Sequence, residues 1–323
     1  MLFKLNPANL AAALLAVCAL LVPFVIEDTY IRHLFIIAFI YAMVAASWDL
    51  SLGYAGIFNF GHLAFFGIGV YTTGLCAKLL GIDPWLAMLL GGIAASAAAA
   101  IVALPVARLQ GIYVVLVTFA FSQLVLQLVI SQSEITGGTQ GLVRVPTIEL
   151  FGYNFLRDYK FGYYYVALAL LVITTVCLRL IVKSDFGVSV RAMRDNEDYA
   201  LARGIFIGIQ RLKVLVASAF FAGLAGGFFV VYLRVASPEV FNFSTVALIL
   251  SMVLVGGTSS IYGPIIAAIG LTFISEGLAN VDGLAEGRFI IVAVLMILVL
   301  LFFPKGLGSI LARRPAQTLL PKT

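Results

Sequence analysis

The sequence is poor in charged residues. Asp, Glu, Lys and Arg make up only 11% of its 323 residues, whereas 63% are hydrophobic. A typical soluble domain is about 45–50% apolar and about 25% charged. So few charges cannot cover the surface of a soluble domain of this length, and so much hydrophobicity excludes intrinsic disorder. The composition therefore predicts a protein that lies in a lipid bilayer.

Sequence motifs of several enzyme classes are absent as well. The chain has no H-E-x-x-H zinc motif and no G-x-S-x-G nucleophile motif, and the dipeptide Gly-Lys, which a P-loop requires, does not occur. The three cysteines lie in apolar runs without a paired spacing, which is typical of packing residues: Cys18, Cys76 and Cys177. We therefore expect no resident cofactor or metal, and no hydrolysis of ATP by this chain.

Ionisable residues within the apolar runs are few and dispersed. Asp49, His62 and Glu276 lie in three different runs, so they do not form the cluster that an intramembrane enzyme needs. Asp49 is expected near the cytoplasmic end of its run, in a hydrated and structural position. The sequence is therefore interpreted as a transport or conduction protein rather than an enzyme.

The apolar runs are long and regularly spaced. Most contain 17 to 23 residues, the length at which an α-helix crosses a bilayer, whereas the strands of a membrane β-barrel need only about ten. We predict an all-α polytopic transmembrane helix bundle that forms a single domain over residues 1–323. It has about ten spans, predicted at 10–26, 31–52, 57–77, 85–107, 111–131, 163–182, 212–233, 243–256, 260–280 and 287–303. The run at 243–256 also fits a half-helix, and the first run is interpreted as an uncleaved span.

The positive residues predict the orientation of the bundle. Seven of the 20 Lys and Arg residues lie between 179 and 213, and more follow residue 303. With ten spans both tracts fall on one side, together with Lys4 and Arg108, and positive loops are retained in the cytoplasm. We therefore predict cytoplasmic N and C termini. Positive loops kept in the cytoplasm also account for the net charge of +5, so no nucleic-acid partner is predicted.

The largest predicted cytoplasmic loop, at 183–211, has the signals of two short helices. Asp195 is predicted as an N-cap and Gly204 as a stop, which gives a helix near 196–203, and residues 187–194 favour another helix before it. We interpret this helix-turn-helix as a docking element for a partner protein. The alternative is an amphipathic segment that rests on anionic lipid headgroups.

Polar residues in two glycine-containing segments are candidates for a translocation path. Asn59 and His62 are three residues apart and are predicted to share one face of a helix. Thr136, Gly137 and Gly138 lie in the long external connection at about 132–162. Polar side chains at membrane depth face the bundle interior, where they line a path or form hydrogen bonds between helices. Both interpretations remain open at this stage.

Ordered motifs extend along the chain from about residue 45 to 307. They comprise 53–56 with 60–71, 136–141, 191–197, 219–226, 237–239, 256–257 with 262–264, and 303–306. As an ordered set they resemble inner-membrane permease subunits of the branched-chain amino acid ABC transporter family. The resemblance implies half of a translocation path in an ATP-driven importer. The partners it implies are two ATPase subunits, a homologous permease subunit, and a periplasmic or extracellular solute-binding protein.

The same resemblance implies that the 183–211 loop contains a coupling helix that binds an ATPase subunit. The residues implied in ATPase coupling are Arg191, Arg194, Asp195, Asn196, Glu197, Ala200 and Gly204. Branched-chain amino acids are the substrates expected from the family, and related permeases for urea, amides or other amino acids are the alternative. An ion-coupled secondary transporter, a channel and a membrane scaffold are the alternatives of other classes.

Overall fold

The computed structural model describes residues 19–24, 28–150, 153–155, 160–279, 287–303 and 306 of the chain. Over these residues the protein is a bundle of α-helices with two short pairs of β-strands. The predicted all-α fold class is therefore confirmed. The first predicted span, at 10–26, lies mostly outside the described residues.

The helices of six or more residues in the longer described segments are numbered here in chain order. They are α1 Thr29–Asp49, α2 His62–Leu79, α3 Pro84–Val106, α4 Ile112–Ser131, α5 Phe161–Lys183, α6 Asp185–Asp195, α7 Glu197–Ala202, α8 Ile207–Leu233, α9 Phe243–Gly256, α10 Tyr262–Ala279 and α11 Arg288–Phe302. A π-helical turn, Leu50–Tyr54, directly continues α1. The short strands are β1 Leu142–Val143, β2 Glu149–Leu150, β3 Tyr153–Asn154 and β4 Val235–Ala236.

Six helices of the described residues are long and apolar enough to cross a membrane. They are Thr29–Tyr54, which joins α1 to the π turn, and α3, α4, α5, α8 and α10. Apolar helices of fewer than 18 residues occur at Phe243–Gly256 and Ile290–Phe302. Helices therefore occupy the predicted runs from 31 to 303, while the count of ten spans and the orientation of the termini stay predictions.

Two predicted boundaries are wrong, and both have a physical reason. α2 begins at His62 rather than at residue 57, because the backbone before it is bent: the Gly61 amide donates to Asn59 Oδ1 at 2.9 Å. α8 begins at Ile207, upstream of the predicted 212. The predicted boundary excluded Arg211 as a charged loop residue, but its side chain is buried and bonded inside the bundle.

Close backbone contacts hold α2, α3 and α8 together at the centre of the bundle. A Cβ atom on Gly69 of α2 would lie 2.1 Å from the Gly223 carbonyl oxygen of α8, and one on Gly223 would lie 2.8 Å from the Gly91 carbonyl oxygen of α3. In lipid, helices gain most from such contacts, because the solvent is as apolar as their side chains. The glycines therefore bring three helix backbones into direct contact.

The two ends of the bundle are closed in different ways. At one end β1 pairs antiparallel with β4, Leu142 facing Ala236, and we call this the ladder end. The start of α1 lies there beside the end of α8, since His33 Nδ1 is 2.5 Å from the Tyr232 hydroxyl. α1 therefore ends at the opposite side, which carries α6 and α7 and is called the α6–α7 end.

We expect Gly69→Ala to lower the free energy of unfolding by about 1–3 kcal/mol, because the new methyl group overpacks the contact with Gly223. Thermal unfolding in detergent measures this loss. The control is Gly270→Ala in α10, where a Cβ atom meets nothing within 4 Å. An unchanged midpoint for Gly69→Ala would contradict the packing described above.

Candidate functional site

A buried carboxylate closes the α6–α7 end of α1. Asp49 is the last residue of α1 and has no exposed surface. Its Oδ1 accepts the Ser259 amide at 2.9 Å, and its Oδ2 accepts the Ser260 amide at 3.0 Å. Both serines lie in the turn between α9 and α10. The expectation that Asp49 is hydrated is therefore wrong, because two backbone amides replace water as its partners.

The π turn brings a second backbone group to the same point. The Gly53 carbonyl oxygen accepts hydrogen bonds from Ser259 Oγ at 2.8 Å and from Arg194 Nη1 at 2.9 Å. Arg194 Nη1 also lies 2.5 Å from Ser259 Oγ. A Cβ atom on residue 53 would lie 2.0 Å from Asp49 Oδ1, so the close approach requires glycine. We call these residues the Asp49 junction: Asp49, Gly53, Arg194, Ser259 and Ser260.

The junction connects three parts of the chain that are far apart in sequence. Arg194 lies in α6, Gly53 follows α1, and Ser259 lies between α9 and α10. π turns often occur at functional sites, and this one carries the carbonyl group that Arg194 binds. Arg194 therefore links α6 by direct hydrogen bonds to the end of α1 and to the turn before α10.

An ion pair between Arg211 of α8 and Glu197 holds α7 in place. Arg211 Nη2 donates to Glu197 Oε1, and Gln110 Nε2 donates to Glu197 Oε2 at 3.2 Å. Arg211 Nη1 also donates to the Leu109 carbonyl oxygen at 2.7 Å. The buried guanidinium thus has both a carboxylate and backbone partners, which a buried charge needs. Glu197 therefore ties α7 to α8 and to the loop between α3 and α4.

The two short helices occur where the sequence predicts them, with one correction. The N-cap of α7 is Asn196, whose side chain accepts the Tyr199 amide at 2.9 Å, and not Asp195. α6 continues through Asp195, so the cap falls on the next residue, which has an equivalent acceptor oxygen. Gly204 stops the segment at φ +81° as predicted.

The charged residues implied in coupling mostly bind this chain itself. Arg194 contacts the junction and, through Nη2, Asp195 Oδ1 at 2.8 Å, while Glu197 binds Arg211. Asn196 caps α7, Ala200 is buried and Arg191 is half-buried. The structure therefore brings these residues together at one end of the bundle, where several act as internal connectors.

Large apolar side chains are exposed on the same segment and at the start of α8. The exposed residues, called here the apolar face, are Val188, Tyr199, Leu201, Phe206 and Ile209. Phe206 is 71% exposed. Leu201, Phe206 and Ile209 border a surface cavity of about 460 Å³. These three side chains are clustered, and clustered exposed apolar side chains are typical of interaction surfaces, whereas isolated ones are not.

The two path candidates nearest the junction are buried. His62 Nε2 lies 3.1 Å from Ser47 Oγ, and its ring stacks on Trp48 with centroids 5.3 Å apart. The predicted shared helix face is wrong, because Asn59 precedes the start of α2. Asn59 Nδ2 and His62 Nδ1 are buried polar atoms without a hydrogen-bond partner among the described residues.

The other path candidates form a tight turn at the ladder end. Thr136 Oγ1 donates to the Val129 carbonyl oxygen at 2.6 Å and accepts the Gly138 amide at 3.2 Å. Gly137 has φ +80°, and a Cβ atom there would lie 2.1 Å from the Gly141 carbonyl oxygen. The structure does not bring this turn to Asn59 and His62, but joins both segments to α4.

α4 is the common support of the two candidate segments. The Phe60 amide donates to Thr118 Oγ1 at 3.1 Å, while Thr136 binds the carbonyl group of Val129. Thr118 and Val129 are about 16 Å apart along the helix at 1.5 Å per residue. α4 therefore separates the two polar segments along its length.

Sequence reasoning missed two members of these sites. Ser259 lies in the polar segment Thr258–Ser260 between two apolar runs, which is a signal for a turn that binds a buried group. Arg211 lies at the start of an apolar run, where a cation needs an internal partner if the helix continues around it. No cluster of three or more metal-ligating side chains occurs within the described ranges.

We expect Asp49→Ala to lower the free energy of unfolding by about 2 kcal/mol or more, because two buried amides lose their acceptor. Thermal unfolding and limited proteolysis of the 257–261 turn measure the effect. Asp198→Ala is the control, since Asp198 is an exposed acid on α7. Equal stability of the two variants would rule out a structural role for the carboxylate.

Comparison with known proteins gives relatives of one kind. The chain is 29% identical over 289 residues to the high-affinity branched-chain amino acid transport system permease protein LivM of Escherichia coli (strain K12), covering 83% of this chain and 67% of that protein. LivM of Salmonella typhimurium gives the same values. A probable branched-chain amino acid transport permease protein LivM of Methanocaldococcus jannaschii is 27% identical over 226 residues, covering 60% of this chain and 65% of that protein. No solved structure matches the chain.

The family comparison covers most of the sequence. The family described as "Branched-chain amino acid transport system / permease component" matches residues 30–300. This range contains the Asp49 junction, α4 and the apolar face, together with six helices long enough to span a membrane. The multi-pass helical architecture and the extent of the match agree, and we conclude that the chain belongs to this family of transport permease components.

Proposed function

We propose that the chain is the permease subunit of an ATP-driven importer in the inner (plasma) membrane and forms half of the path for branched-chain, hydrophobic amino acids. The observation that carries the proposal is the family match over residues 30–300, with relatives named as permeases for these solutes. The absence of Gly-Lys from the sequence supports the proposal that partner chains hydrolyse ATP. Two ATPase subunits, a homologous permease and a solute-binding protein complete the proposed importer.

The apolar face is the proposed docking site of an ATPase subunit. Val188 lies on α6, and Tyr199 and Leu201 lie on α7, whereas Phe206 and Ile209 lie at the start of α8. The two short helices are bonded to the rest of the chain, α6 through Arg194 and α7 through Glu197. Tyr199 is fixed as well, since the Arg203 guanidinium lies 5.2 Å above its ring and donates to its hydroxyl group. Aromatic side chains such as that of Tyr199 are enriched among the energetic centres of protein interfaces.

The Asp49 junction is the proposed transmission element. Closure of the ATPase subunits would displace α6, and Arg194 would carry that displacement to the Gly53 carbonyl group and to Ser259. Arg191, Asp195, Asn196, Ala200 and Gly204 remain proposed ATPase-coupling residues in the same segment. Docking is thus assigned to exposed apolar side chains of the 183–211 loop, and transmission is assigned to Arg194 in the same loop.

The proposed path keeps both candidate segments. Asn59 and His62 each retain a buried polar atom without a partner in the described part of the chain, and such atoms favour a second arrangement in which they are hydrogen-bonded. Thr136, Gly137 and Gly138 form the corresponding proposed segment at the ladder end. These assignments require that the bundle opens on one side at a time as ATP is hydrolysed.

Uptake measurements separate the proposed function from its alternatives. Proteoliposomes with the complete transporter should accumulate a branched-chain amino acid only with ATP inside, on the side of the ATPase subunits. Accumulation by this chain alone under an ion gradient would favour the secondary transporter. Uptake of urea or short amides in preference to leucine would contradict the proposed substrate class, but it would still be consistent with an ATP-driven importer.

We expect Leu201→Ser with Phe206→Ser to reduce copurification of the ATPase subunits by about tenfold or more, because the two substitutions remove the centre of the apolar face. Pull-down from detergent extracts measures it. Val143→Ser, which removes an exposed apolar side chain at the ladder end, is the control. Full retention of the ATPase by the double variant would refute docking at this face.

We expect Arg194→Ala to give the opposite pattern: the ATPase remains bound, but uptake per ATP hydrolysed falls about tenfold, because the link from α6 to Gly53 and Ser259 is lost. Lys183→Ala removes an exposed cation next to α6 and serves as the control. Simultaneous measurement of uptake and ATP hydrolysis checks this. Normal coupling in Arg194→Ala would exclude the junction as the transmission element.

A further inference from the structure

α4 exposes two glutamines in its second half. Gln123 is the twelfth of its 20 residues, and Gln127 follows one helical turn later on the same face. Both side chains are exposed, and neither has a hydrogen-bond partner among the described residues. Only 28% of an apolar stretch of 18 residues in α4 is buried, which is the lowest share among the six membrane-length helices.

An unpartnered amide is unfavourable in hydrocarbon, because its donors and acceptors lose water and gain nothing. Two other helices with large exposed faces expose apolar side chains instead of amides. α3 exposes Leu86, Leu89, Ile93, Ile101 and Leu104, and α5 exposes Val172, Ile173, Val176 and Leu180. Those faces are suited to lipid. The face of α4 with Gln123 and Gln127 is not, and it therefore meets water, solute or another polar group.

The polar stripe continues to the end of the helix. Ser131, on the same side one turn beyond Gln127, is exposed, and the exposed residues Gln132 and Glu134 follow it. A dry contact with a second helix would require a paired group for each of these residues. A stripe that runs from the middle of a helix to the aqueous end instead provides a continuous hydrated surface.

The opposite side of α4 supports both segments that the proposed function assigns to the path. The Phe60 amide, beside Asn59, binds Thr118, and Thr136 binds the carbonyl group of Val129. α4 is therefore fixed on its buried side by polar segments at two heights. Its exposed side lies across the helix from these contacts, which leave it free.

We propose that Gln123 and Gln127 line the passage between this chain and its sister permease and bind the polar head of an α-amino acid in transit. This inference rests on the proposed function and names a binding site for its substrate class. Each carboxamide has two N–H donors for the carboxylate group and an oxygen acceptor for the ammonium group. Both amides are uncharged, so the site holds a zwitterion without a net electrostatic preference and releases it readily.

The neighbours of the glutamines suit the rest of such a solute. Leu116 and Leu124 are exposed beside Gln123, and Ala120 leaves space between the two leucines. A hydrophobic side chain would contact these residues while its polar head binds the amides. The site therefore favours an amino acid with an aliphatic side chain over an ion or a sugar.

Cysteine labelling in whole cells that contain the complete transporter tests whether the face is hydrated. In a background with Cys18, Cys76 and Cys177 replaced by Ala, Gln123→Cys and Gln127→Cys should react about tenfold faster or more with a charged methanethiosulfonate than Ile173→Cys, because only a hydrated thiol forms the reactive thiolate. Ile173 is the exposed lipid-facing control on α5. Leucine should slow labelling at both glutamine positions. Reaction as slow as at residue 173 would overturn the proposal.

Uptake by the same transporter tests whether the amides bind the solute. Gln123→Leu with Gln127→Leu should lower leucine uptake about tenfold while ATPase subunits still copurify, and Gln123→Asn with Gln127→Asn should retain more uptake because the amides remain. Equal uptake by the wild type and the leucine variant would overturn the site. If wild-type uptake itself proved independent of ATP, the proposed function would fail, whereas rapid labelling would still identify a hydrated face.

Discussion

The carboxylate of Asp49 sets the geometry of the α6–α7 end. A buried carboxylate is tolerated only when hydrogen-bond donors surround it, and the amides of Ser259 and Ser260 supply two of them. This requirement fixes the turn between α9 and α10 against the end of α1. Ser259, held in that way, provides the hydroxyl group that meets Gly53 and Arg194. Asp49 in α1 therefore helps to fix α6 on the bundle, through Ser259 and Arg194.

On α6 and α7, the residues that bond to the rest of the chain differ from those that are exposed to a partner. Arg194 and Glu197 bind groups elsewhere in the chain and connect helices, whereas Asp185, Asp195 and Asp198 are exposed, as are the large apolar side chains. The simple expectation that charged loop residues are available to a partner therefore fails for Arg194 and Glu197. Because the exposed apolar side chains carry little of the internal bonding, they are free to match a partner surface without loosening the bundle.

Hydropathy predicted the helical regions well, because a bilayer admits few alternatives to a long apolar helix. The errors occur where a polar residue finds an internal partner. Arg211 lies inside α8 although its charge suggested a loop, and Asn196 replaces Asp195 as a cap because α6 is longer than predicted. The partner of Arg194 at Gly53 lies 141 residues away, and no local pattern predicts such a contact. The two glutamines at i and i+4 in an apolar run were a readable signal, but their direction depends on which side of α4 is packed.

Different kinds of contact hold the chain together at the two ends of the bundle. At the ladder end the link between β1 and β4 consists of main-chain groups, which every residue except proline carries. At the other end the link consists of particular side chains on Asp49, Ser259 and Arg194. Amino-acid replacements in the course of evolution can therefore adjust the stiffness of the second link one residue at a time, while they leave the first almost untouched. Relatives that bind different ATPase subunits are accordingly expected to differ at the Asp49 junction and to share the pairing of β1 with β4.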